Sequence, residues 1–139
     1  RSLVLDIRSS DVYRLSLFFD EYLGHYLMHV GMLGLAALLI YREWRSPVGS
    51  VTMRWAIGLA GIVYGIVYFC LFIEGGTVGL GLPFGLAVVL FALFAGRDRV
   101  AQRPVLAFFG LACLVALILF AGWGLYWSGF PQFSEVHLL

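Results

Sequence analysis

The stretch PVLAFFGLACLVALILFAGWGLYWS, residues 104–128, holds no charged residue. As an α-helix it would be about 37 Å long, against roughly 30 Å of bilayer hydrocarbon. It offers water no polar stripe, which a surface helix of a soluble protein must have. Pro104 stands where a first turn lacks a partner for its N–H anyway. Trp123, Tyr126 and Trp127 suit the far membrane interface, and Phe130-Pro131 ends the helix. This segment predicts a transmembrane span.

Three further apolar runs precede it. The first helix is predicted from about Asp11, after the Ser9-Ser10-Asp11 start signal, to Trp44. Its apolar part, Leu15 to Tyr41, is longer than a bilayer needs, so its N-terminal end should project or tilt. The second span reads Met53 to Ile73, with Gly61-x-x-x-Gly65 as a face for close helix approach. The third reads about Leu82 to Ala95, after the turn-like Gly75-Gly76-Thr77-Val78-Gly79-Leu80-Gly81-Leu82-Pro83, and it is short enough to begin inside that glycine run. That glycine run has no Lys-Ser/Thr and joins two apolar helices, so it is a tight connection and not a phosphate loop. The predicted fold is all-α: four transmembrane helices in an antiparallel bundle, one domain over residues 1–139.

Composition agrees. Of 139 residues, 62% are hydrophobic and 12% are charged, about half the charged share of a soluble domain. A net charge of +1 supplies no field for nucleic acid. Both cysteines, Cys70 and Cys113, fall inside apolar runs, which predicts buried free thiols and no disulfide framework. No signal peptide is visible, because the first apolar run comes late and holds charges.

Charge sets the predicted orientation. Arg42, Arg45 and Arg54 flank the connection between spans one and two, and Arg97, Arg99 and Arg103 flank that between spans three and four. The positive-inside rule makes that side cytoplasmic. Residues 1–10, the glycine turn and the tail 130–139 are then extracytoplasmic. So is the end of the bundle that carries Glu21, His25, His29, Glu74, Glu135 and His137, which include every histidine of the chain.

Glu21-x-x-x-His25-x-x-x-His29 is the pattern with chemistry in it. A step of four turns an α-helix by about 40°, so these side chains share one stripe, with Met28 beside it and Met32 a turn deeper. Imidazoles at membrane depth need a partner, since an unsatisfied buried polar group costs roughly 1–3 kcal/mol. Two histidines at i and i+4 reach one metal ion. The expected site is His25 and His29 with Glu21 or Glu74 as oxygen ligand, holding zinc, copper or iron. Hydrogen bonds from the histidines to Tyr64 or Tyr68 are the structural alternative. Ligation of haem iron or chlorophyll magnesium by one of the histidines is a third, but positions on one helix cannot supply both axial ligands of a haem.

The His25-x-x-x-His29 step, followed by small residues, resembles one histidine pair of the membrane metallohydrolases related to alkaline ceramidases and adiponectin receptors. That family has seven spans, and its third His ligand and Ser/Asp pair have no counterpart here. The resemblance implies only that a zinc hydrolase site fits this spacing. The expected function is a metal-binding subunit of a larger membrane complex of oxidoreductase or oxygenase type. The alternatives are an intramembrane hydrolase and a non-catalytic accessory subunit. The lipid bilayer, and protein partners or further copies of the chain, are the expected surroundings.

Overall fold

A computed structural model describes residues 11–47, 49, 54–95, 100 and 102–136, without the side chain of Glu21. Among these residues the chain is all-helical. Helix α1 covers Asp11–Arg45, α2 covers Arg54–Glu74, α3 covers Val78–Ala95 and α4 covers Pro104–Trp127. All four are long and apolar enough to cross a membrane. The N-terminal segment 1–10 lies outside the described residues, as do Arg97, Asp98, Arg99 and His137.

Helix α4 is the centre, packed against α2 most closely and against α3 next. Glycines explain the tight α2 contact. A Cβ at Gly61 would lie 3.2 Å from the Phe108 carbonyl oxygen, and one at Gly65 only 2.5 Å from that of Ala112. Four residues along α2 therefore match four along α4, and these two helices run side by side in the same direction. On the other flank Gly85 faces Cys113 and Leu117 while Gly110 faces Ala92, so α3 runs against α4. Gly58 has nothing near it and takes no part.

Aromatic rings fill the space at the end where α2 turns into α3. Phe72, Ile73 and Phe120 are fully buried, with Tyr68 and Phe69 beside them. The Tyr68 hydroxyl donates to the Gly81 carbonyl oxygen at 2.8 Å, and it is Thr77 that Nδ1 of His29 meets. Gly81 sits against the Phe72 ring, where a Cβ would approach to 2.5 Å. This contact draws the glycine run into helix. Leu80 and Gly81 already donate to the Thr77 carbonyl, α3 begins at Val78, and the turn shrinks to Gly75-Gly76-Thr77. The third helix thus starts four residues before Leu82, with Pro83 inside it.

Helix α1 leans on this core by one stripe only. His29, Ala36, Ile40 and Glu43 are buried, at steps of seven, four and three. No described residue from 11 to 28 is buried. At about 52 Å, α1 exceeds the hydrocarbon thickness by some 20 Å, and its N-terminal part extends past the other helices. Phe18–Gly24 forms a widened π-helical turn. Glu21 falls within this segment.

Two polar contacts hold the stripe. His29 meets Thr77 at one end. At the other, Glu43 is 3% exposed and its two oxygens accept from the Val105 and Leu106 amides at 2.9 and 2.8 Å. Those are the orphan N–H groups of the first turn of α4. Arg103 donates to the Glu43 carbonyl and lies 4.2 Å over the Trp44 ring.

Candidate metal centre

The site grows from the turn after α2. Gly75 has no side chain, and a Cβ there would fall 2.6 Å from Cε1 of His29. Gly76 takes a left-handed φ of 61°, which a glycine adopts without strain. This tight passage brings Thr77, fully buried, under α1. The imidazole of His29 fills the space. It is fully buried, stacks on Phe72 at 4.5 Å and 29°, and its Nδ1 lies 2.5 Å from Oγ1 of Thr77. Its Nε2 is buried with no hydrogen-bond partner.

The His25 ring lies one turn away, centroids 6.2 Å apart and tilted by 40°. Both rings line a cavity of about 630 Å³ between α1 and α2, together with Met28, Cys70 and Glu74. The structure therefore brings His25, His29 and Glu74 to the lining of one cavity. Glu74 has another task as well: Oε2 accepts from the Phe133 amide at 3.0 Å and ties the tail to the end of α2. Glu135 caps its own turn through the Gln132 amide. The side chain of Glu21 is outside the described residues. Cys113 is buried, but Cys70 is exposed and faces the cavity, against the expectation that both thiols are enclosed. Met32 packs into the aromatic cluster and plays an apolar part.

Among the described residues, no group of three His, Cys, Asp or Glu side chains stands in a geometry that could hold a metal ion. The two rings are also too far apart for a shared ion as they stand. Two imidazoles on a tetrahedral ion, with metal–nitrogen bonds of about 2.0–2.1 Å, have ring centroids roughly 5 Å apart. The observed 6.2 Å requires one ring to swing inward by about 1 Å.

Thr77, Gly75 and Glu43 are the contacts that the sequence does not announce. Gly-Gly-Thr directly after Glu74 is a signal for the first two, but only once α1 and α2 are set in register. Compared with known proteins, the chain matches no family model, no curated protein and no solved structure.

Proposed function

We propose that the protein is a four-span membrane protein, an antiparallel bundle, that holds a transition-metal ion between its first two spans through Nε2 of His29 and the ring of His25. One observation carries this: a fully buried histidine with Nδ1 on a threonine oxygen and Nε2 with no partner. Metal-ligating histidines are held in this way, the second nitrogen donating to an oxygen that fixes tautomer and ring orientation. With Nδ1–H donating to Thr77, the Nε2 lone pair is left for an ion. Cys70 and Glu74 stand in the same cavity as further donors, a set that suits zinc, copper or iron. Such a centre serves as a subunit site in a larger redox complex or as a staple between spans.

Metal analysis of untagged protein tests it. We expect about one ion per chain, lost in the His25→Ala, His29→Ala double variant. Equal metal in the parent and the double variant would leave His29 as a structural residue, and the accessory-subunit function would take its place. The Phe72 stack and the Thr77 bond are what favour that second function.

The site's end of the bundle is proposed to face outward, on the arginine distribution of the connections. Thr77 is buried and makes a poor reporter, whereas Gly79, Ser134 and Ser46 are exposed. Cysteines at Gly79 and Ser134 should react with an impermeant thiol reagent on intact cells, and one at Ser46 should not. Reaction at Ser46 alone would invert the topology.

A further inference from the structure

The cavity beside the histidines is far larger than an ion, and its walls say what else enters. At about 630 Å³ it falls within the range of small-molecule sites, which are mostly apolar with a few convergent polar groups. Its rim is apolar and open sideways: Met28, Ile66 and Val67 are 50%, 47% and 45% exposed. In a membrane that mouth faces acyl chains, so a ligand arrives from the bilayer and not from water. Its polar end is His25, His29 and Glu74, and no arginine lines it. An anionic head group would meet the Glu74 carboxylate without a counter-ion. A hydroxyl, which both donates and accepts, satisfies the lone nitrogen of His29 in either tautomer.

We infer that this cavity takes a membrane-borne lipid with an uncharged, hydroxyl-bearing head, its chain along Ile66 and Val67 and its head against His29 or the ion that His29 holds. The inference goes beyond the metal centre, since it stands on the lining and the mouth of the cavity. The test uses a diazirine-bearing long-chain alcohol on the detergent-solubilised protein with a chelator present, so its outcome does not depend on the ion. Metal is measured separately on untreated protein. Ile118 on α4, 63% exposed and away from the cavity, reports ordinary lipid contact. Label on residues 66–71 should exceed that around Ile118 by about ten-fold, the factor one good hydrogen bond to a buried group supplies. Hexadecanol should compete, and palmitate and hexadecyltrimethylammonium should not. Val67→Trp fills the mouth from a half-exposed position and should remove the excess label, and Ile66→Trp serves as a second blocking variant. Equal label at both places, competition by palmitate as strong as by hexadecanol, or full labelling of both tryptophan variants would overturn the inference.

Discussion

Replacing Glu43 with alanine is expected to lower the stability of the folded protein by about 3 kcal/mol, the range for hydrogen bonds to a charged group whose partners stay buried. The carboxylate is nearly inaccessible and accepts from two successive amides at the start of α4. Those amides have no intrahelical acceptor, and Leu106 is itself 1% exposed, so water does not replace the lost oxygen there. The same contact holds the C-terminal end of α1 to the bundle, and α1 has few others. Glu43→Gln keeps the shape and one good acceptor and should recover about half the loss. Glu135→Ala removes an exposed carboxylate that also accepts from an amide and should cost about 0.5 kcal/mol or less. Unfolding in mixed micelles measures all three. A loss at Glu43 no larger than at Glu135 would mean that α1 is not held there.

Gly65→Leu should be at least as damaging, and even Gly65→Ala should cost about 1–3 kcal/mol, the usual penalty of overpacking a tight contact. The added Cβ would fall 2.5 Å from a backbone oxygen of Ala112 and 2.8 Å from Cβ of Val115. Neither atom is the end of a flexible side chain, so the helices must part, and the Phe69–Phe120 packing that follows along the same seam loosens with them. Gly58→Ala is the contrast. That Cβ meets nothing within 4 Å, so the substitution should be neutral or raise stability by roughly 0.4–1 kcal/mol through the unfolded chain. Thermal unfolding that leaves Gly65→Ala level with Gly58→Ala would show that α2 and α4 do not meet along this face.

The spans were legible because each holds a long apolar run with little or no charge, and most charged residues stand at the ends of those runs or beyond them, a pattern that depends on composition alone. Gly61 and Gly65 were legible as a contact face because small residues at i and i+4 expose backbone on one side of a helix. Their partner was not, since nothing in α2 says whether α3 or α4 comes closest. The sequence lets α3 begin inside the glycine run but does not say at which residue, for a related reason. Glycines at 79 and 81 read locally as turn, and it is the Phe72 ring, distant from them until the turn closes, that makes a glycine at 81 favourable in a helix. The histidine pair was legible from its spacing, but its setting was not. Thr77 is 48 residues from His29, and Glu43 looks like one acid among loop arginines until α4 is laid against it. The π-helical turn at Phe18–Gly24 leaves no mark in composition.

X-ray absorption of the protein loaded with one equivalent of zinc tests the metal centre most directly. Two imidazole rings with nitrogen at about 2.0–2.1 Å are expected, and His29→Ala should remove one ring and weaken binding. Thr77→Val, which deletes only the oxygen at Nδ1, should keep both rings and lower affinity by about 10–100-fold. A spectrum without imidazole scattering, or one that His29→Ala leaves unchanged, would contradict ligation by His29.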